Sequence, residues 1–259
     1  MIYINDKEKL NKIKQEKDIF VITDFDRTLT TKQSEPSMGV VPEYLGGKCL
    51  EDRLKIFNHY RPIELDYSLE DEVKQKYMRD WAQESYNLLS KYITKEIIDK
   101  SLENANLHLR TGAKEIFEDL KAKNIPIVIM SSGIGNIVEE FLKKENCVAK
   151  NVSIVSNFFE FENDKAYIDL NNIMATSNKE YERIPSDIKC KIENKKAGLL
   201  FGDLVEDLKM VRKEDLNKIL TFGFLDEKIE SNIEKFNKNF DIVLTGNEDF
   251  GTVKEILRR

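Results

Sequence analysis

The sequence predicts an α/β protein built on a parallel sheet with helices on both faces, and three observations carry that expectation. Short apolar runs that read as buried strands recur along the chain; helical patterns separate most of them; and about a hundred residues lie between the first two runs, far more than one crossover needs. The runs are "IFVITD" (19 to 24), "IPIVIM" (125 to 130), "VSIVSN" (152 to 157), "GLLFGD" (198 to 203), "ILTFGFL" (219 to 225) and "DIVLTG" (241 to 246). Continuous rather than alternating hydrophobicity marks strands covered on both faces, the condition of a parallel sheet in βαβ units.

The long gap predicts an inserted, mainly helical domain over residues 32–109, with residues 1–31 and 110–259 forming the core. Within the insert, "LEDEVKQKYMRDWAQESYNLLSKYI" places Val73, Tyr77, Trp81 and Ser85 at successive i+4 positions, extended by Leu88 and Leu89, which reads as the insert's own apolar face. "FFEFENDKAYID" differs from the other runs: two short alternating segments flank Asn163-Asp164, which predicts a β-hairpin.

Composition narrows the function classes. The 259 residues are 41% hydrophobic and 34% charged, with a net charge of −6. That balance fits a folded domain with a solvated surface and disfavours binding to nucleic acid through a basic stripe. Cys49, Cys147 and Cys190 form no Cys-x-x-Cys pair and read as small buried hydrophobes in a reducing, cytoplasmic setting. The N-terminus carries acids where a signal peptide is basic, and no apolar run could span a bilayer, so no membrane partner is expected.

The chemistry begins at the end of the first long run, in "VITDFDRTLT". Residues i and i+2 of a strand point the same way, so Asp24 and Asp26 share a face at the carboxyl end of a buried strand, where open α/β sheets place their ligand crevices. Two desolvated carboxylates at close range repel, and a cation resolves the conflict. Mg²⁺, a hard ion that takes oxygen ligands and bridges to phosphate, suits such a site. "LLFGDLVED" supplies further oxygens from Asp203 and Asp207, one helical turn apart, with Gly202 permitting close backbone approach. Alone, the first motif also fits a turn with a capping side chain; four carboxylates at two strand ends favour a metal site. In "IVIMSSGIGNIVEEF", Ser131, Ser132 and Gly133 join a strand to a helix, a place for an anion such as phosphate or for an N-cap by Ser132.

These pieces resemble the haloacid dehalogenase superfamily of phosphohydrolases, and "TDFDRTLT", "SSGIGNIVEEF", "VSIVSNFFEFE", "SNKE", "FGDLVEDLKM" and "GFL…DIVLTGNE" are similar to the cytosolic pyrimidine 5′-nucleotidases called type III. The resemblance implies a Rossmann-like core with a helical cap and hydrolysis of a small phosphate ester, a pyrimidine nucleoside 5′-monophosphate, with Mg²⁺. It implies Asp24 as nucleophile and Asp26 as proton donor and acceptor. It assigns the third-motif lysine to Lys179, where the residues alone leave Lys189, Lys191, Lys195 and Lys196 as rivals. By the same resemblance Asp24, Asp26 through its carbonyl, Asp203 and Asp207 serve the metal. Thr28, Ser131, Ser132, Gly133 and Lys179 serve the phosphate, and Glu64 and Ser85 contact the nucleoside. A phosphatase for phosphoserine or a sugar phosphate on the same fold, and a non-catalytic binding protein, are the other readings. The segment after the first motif, "TTKQSEPSMGVVPEYLGGKCLEDRLKIFNH", and the linker "YERIPSDIKCKIENKKAG" do not resemble the nucleotidases.

Overall fold

A computed structural model describes residues 1–163, 165–246 and 248–258. Among them, a seven-stranded sheet runs in the order β1(Ile2–Ile4), β9(Ile242–Thr245), β8(Ile219–Leu225), β7(Ala197–Gly202), β2(Ile19–Thr23), β3(Ile127–Ile134), β4(Val152–Asn157). Every pairing is parallel except that of β1 with β9. Side chains alternate across the sheet, so Phe20 and Ile22 enter one apolar cluster and Val21 the other. The same holds for Leu200 against Leu199 and Phe201, which is why these strands read as unbroken apolar runs.

Helices cover both faces: α1(Lys7–Ile13), α6(Ala113–Ala122), α7(Gly135–Lys144), α8(Ser186–Ile192), α9(Ile229–Asn239) and α10(Phe250–Arg258). Chain order sets the site. From β2 the chain proceeds outward to β3 and β4, then returns to the other side of β2 and continues through β7, β8 and β9. The direction reverses between β2 and β7, and ligands of open α/β sheets bind at such a reversal. Register sets the end of β2 level with the end of β7, Thr23 pairing with Phe201, while on the other side Thr23 pairs with Ile129 of β3, which runs on to Ile134.

Between β2 and β3 lie α2(Val40–Leu45), α3(Gly47–Glu64), α4(Asp71–Leu89) and α5(Lys95–Ser101). The chain leaves and re-enters at one neck, where Thr30 bridges Leu109 and the Arg110 Nε donates to the Thr28 carbonyl at 2.9 Å.

Several expectations need correction. The short edge strand β1 gave no periodic signal in three residues. β4 is a strand but only half-buried, because it closes the other edge of the sheet. Val73 and Tyr77 are exposed, and α4 buries Lys74, Met78, Tyr86, Leu88 and Leu89 instead. The buried series starts one residue later than the expected one, and one residue is about 100° around a helix of 3.6 residues per turn, which turns Val73 and Tyr77 toward solvent. β3 continues through Ile134, with a register shift after Ser131, and α7 begins at Gly135 with no side-chain cap; Ser132 is not its N-cap. The hairpin forms from β5(Glu160–Glu162) and β6(Lys165–Tyr167), while Asp164 of its turn lies outside the described residues. Cys49 and Cys147 are buried, but Cys190 is exposed. No helix among the described residues is long and apolar enough to cross a membrane.

Phe201 stacks on Phe222 at 4.9 Å and meets Phe250 edge-on at 5.2 Å, joining β7, β8 and α10. Phe201→Ala is expected to cost about 3–5 kcal/mol, read as a lowered urea midpoint, because neighbouring rings cannot collapse into the space.

Candidate active site

β2 ends at Thr23, and the Asp24 N–H donates to the Phe201 carbonyl at 3.0 Å, fixing the first carboxylate against the end of β7. The Lys179 ammonium is held 2.5 Å from the Asp24 Oδ1 and 2.5 Å from the Asp207 Oδ1. Asp207 sits in a 3₁₀ turn (Val205–Met210) rather than an α-helix, and its Oδ2 accepts the backbone N–H groups of Asp203 at 2.9 Å and Leu204 at 3.0 Å. Gly202 makes this possible: an added Cβ would lie 2.4 Å from that same Oδ2. Lys179 is only 1% exposed. The other four lysines lie elsewhere, Lys195 on Asp18 and Lys189 over the Tyr181 ring, for example.

Carboxylate oxygens of Asp24, Asp203 and Asp207 lie within 4.8 Å of one another. Lys179 pairs with two of them, Arg61 and Arg27 oppose the charge of Asp203, and the Asp24 Oδ2 is buried with no hydrogen-bond partner among the described residues. Burial pushes Asp24 up to about 7, with Lys179 opposing and Asp207 adding to the shift. Asp203 is raised well above the usual carboxylate range by burial, then by Asp24 and Asp207. For Lys179, burial alone would favour the neutral amine, but Asp207 and Asp24 overturn that and keep it charged. An orphaned anionic oxygen in a cluster of excess negative charge is the donor set a hard divalent cation requires.

Asp26 faces the same cavity with different partners. Its Oδ1 accepts the Ser37 N–H at 2.7 Å and its Oδ2 the Ser37 hydroxyl at 2.6 Å. Burial raises its pKa, and the two Ser37 bonds oppose the rise. Gly133 allows Ser37 in: a Cβ there would fall 1.8 Å from the Ser37 Oγ. Ser37 lies in the segment without family resemblance, and no spacing marked it.

The cavity, about 130 Å³ and open to solvent, lies between the carboxyl ends of the strands and the helices α3 and α4. Ser132, Gly133, Lys179 and Asp203 line it near Asp24; Glu64 and Ser85 line it farther along α3 and α4. Glu64 is buried rather than superficial and is ion-paired to Arg61, which also reaches Glu227 at 3.1 Å. Thr28 and Ser131 do not line the cavity. Thr28 is fully buried, and the Ser131 Oγ accepts the Gly133 N–H at 3.1 Å, shaping the end of β3 from behind. Phe57, Trp81 and Tyr60 form an aromatic group beside Arg53, with Tyr60 and Trp81 stacked at 6.0 Å. Tyr86 anchors α4 to the last residues of β3 after its register shift, its hydroxyl 2.5 Å from the Gly133 carbonyl.

A parallel α/β sheet whose switch point gathers these carboxylates and a buried lysine defines a phosphohydrolase core of the haloacid dehalogenase type. Solved structures agree on the fold. A phosphoserine phosphohydrolase-like protein from Francisella tularensis is 18% identical, with a TM-score of 0.60 over 92% of this chain and 98% of that one. The chain belongs to the pyrimidine 5′-nucleotidase (UMPH-1) family, whose model matches residues 11–259. It is a phosphoric monoester hydrolase of the 5′-nucleotidase class. The 7-methylguanosine phosphate-specific 5′-nucleotidase of Homo sapiens is 31% identical over 249 residues, 92% of this chain and 83% of that protein. The Mus musculus protein of the same description is 32% identical with the same coverage. Cytosolic 5′-nucleotidase IIIB bound to cytidine is 25% identical with a TM-score of 0.80, over 99% of this chain and 92% of that one.

Glu35, two residues before Ser37, has its pKa pushed up to about 7 by burial and by Glu43, against Arg53. The native state therefore holds a proton that the unfolded chain releases near the ordinary glutamate pKa. Stability from this group is present below that value and is lost as pH rises to about 7. Glu35→Gln is expected to raise Tm relative to wild type by an increment that grows across that window, measured by circular dichroism at a series of pH values.

Proposed function

We propose that the protein is a Mg²⁺-dependent pyrimidine 5′-nucleotidase that works through a phosphorylated Asp24, with residues 32–109 forming a cap over the site in a cytoplasmic enzyme. The observation that carries the reading is the Asp24 carboxylate: one oxygen is fixed by Lys179, and the other is buried without a partner beside Asp203. Asp24, Asp203 and the Asp26 carbonyl would hold Mg²⁺, which supplies fixed positive charge for the phosphoryl oxygens. Asp207, held by two backbone N–H groups, positions Asp203 and Lys179.

Each step falls to a group of this chain. Asp24 attacks phosphorus in line, forming a bond to one carboxylate oxygen as the ester oxygen departs. Asp26, whose raised pKa favours the protonated form, gives that oxygen its proton. It then takes a proton from the water that opens the phosphoenzyme. Lys179 and the N–H groups near Ser132 stabilise the transferring phosphoryl group. The two bonds from Ser37 keep the Asp26 carboxyl aimed, so that donor and acceptor roles use one geometry.

Pyrimidine specificity is supported by the family and by the cytidine bound to the nucleotidase of similar fold. Relatives described as specific for 7-methylguanosine phosphate supply a second reading of the same pocket. A panel of phosphate esters assayed with Mg²⁺ decides the matter. UMP and CMP are expected to release phosphate fastest; EDTA abolishes release and Mg²⁺ restores it. Release from UMP and CMP no faster than from unrelated esters would overturn the substrate assignment, and indifference to EDTA would overturn the ion.

Asp26→Asn removes the proton donor. With a nucleotide, whose leaving group is a poor alkoxide, kcat is expected to fall by about 10²–10⁴. With p-nitrophenyl phosphate, whose leaving group departs without a proton, the loss in the phosphorylation step, read as kcat/KM, is expected to be much smaller. Equal losses on both substrates would remove Asp26 from the acid role.

A further inference from the structure

Most cations lining the cavity already have partners. Arg27 pairs with Glu227, Arg61 with Glu64 and Glu227, and Lys179 with Asp24 and Asp207. Arg53 differs. Among the described residues it makes no ion pair, and its guanidinium lies 4.7 Å from the centroid of the Phe57 ring. Glu35 and Glu43 attract it, but neither lines the cavity and neither is close enough to pair. Glu64 is thus compensated by Arg61, and beside Phe57 a second guanidinium lines the cavity without an ion pair among the described residues.

We propose that Arg53 is a specificity residue that rejects a positively charged nucleobase and selects neutral bases bearing carbonyl acceptors. The inference rests on the nucleotidase reading and deepens it. Methylation at N7 places a positive charge on the guanine ring, and aromatic walls attract such a ring through their negative faces. Here the face of Phe57 is already occupied by the Arg53 guanidinium. A cationic base entering beside it meets like charge in a partly desolvated cleft, whereas the carbonyl of uracil or cytosine can accept from the guanidinium. Discrimination therefore arises from repulsion of one ligand as well as attraction of another.

The test compares CMP, UMP, GMP and 7-methyl-GMP at mildly acidic pH, where N1 of the methylated base keeps its proton. GMP controls for ring size, since it differs from 7-methyl-GMP only in the methyl group and its charge. For Arg53→Leu, the ratio of kcat/KM for 7-methyl-GMP to that for GMP is expected to rise by about tenfold, mainly through KM. Arg53→Lys, which keeps the charge, is expected to leave the ratio within about a factor of two. Should the leucine variant not fold, Arg53→Met, which keeps an unbranched stem, carries the same expectation. A static ratio in the neutral variants, or wild-type preference for 7-methyl-GMP over CMP, overturns the role of Arg53 while leaving the nucleotidase reading in place. Hydrolysis of p-nitrophenyl phosphate without turnover of any nucleotide overturns both.

Discussion

The contact on which the site depends is the Lys179 ammonium set 2.5 Å from Asp24 and 2.5 Å from Asp207. Its charge is almost fully desolvated, a cost of several kcal/mol per ion that only close, multiple pairing offsets. Both partners are fixed from the backbone. Asp24 hangs from the end of β2 by its bond to Phe201, and Asp207 is pinned by the N–H groups of Asp203 and Leu204. One lysine therefore holds two strand ends in register, and with them the third carboxylate. Without it, three acids in one cluster would repel, and relief would come from protonating one of them, the proposed nucleophile Asp24 included.

Sheet topology explains why these residues meet although 155 positions separate Asp24 from Lys179. The reversal of strand order beside β2 leaves a gap between outgoing connections, and register places the ends of β2 and β7 level at that gap, with β3 running on past them to Ile134. Glycine is required where the approach is closest. Gly202 admits the Asp207 carboxylate, and Gly133 admits Ser37, which in turn aims Asp26. The parallel sheet thus fixes positions, and the absence of two Cβ atoms allows the acids to approach.

What could be read from the sequence follows from the range of the forces involved. Buried parallel strands announce themselves as continuous apolar runs, and strand-end aspartates are local to those runs, so Asp24, Asp26 and Asp203 stood out together. Lys179 did not: choosing it among five lysines requires knowing which one the chain carries back under the sheet, and family resemblance supplied what local pattern could not. Ser37 and Arg61 carried no periodic or motif signal, because their contacts run between the insert and the core, and Arg53 carried none because it meets Phe57 only once the helix has formed. The α4 stripe misled for a geometric reason. The buried face is offset by one residue, about 100° around the helix, from the series read in the sequence, so it passes through Lys74, Met78 and Tyr86 rather than Val73 and Tyr77. Lys74 could not have been anticipated as a buried residue from its type.

That buried lysine bears on how the inserted helices and the strand-end loops act together. The Lys74 Nζ lies 2.6 Å from the Glu206 Oε1 and 4.1 Å from the centroid of the Tyr67 ring. Glu206 directly precedes Asp207, so α4 is tied to the turn that positions Lys179 and Asp203. The same helix presents Trp81 and Ser85 to the cavity and fastens the end of β3 at Gly133 through Tyr86. Arg61 extends the arrangement on α3, joining Glu64 at the cavity wall to Glu227 after β8. Polar contacts of this kind are directional, and a buried charge left unpaired is costly, so the insert has few ways to sit on the core with all of them made. The cavity-lining residues of the insert are therefore held in a fixed relation to the carboxylates, and under the proposed function the shape and charge of the insert would decide which ester reaches Asp24.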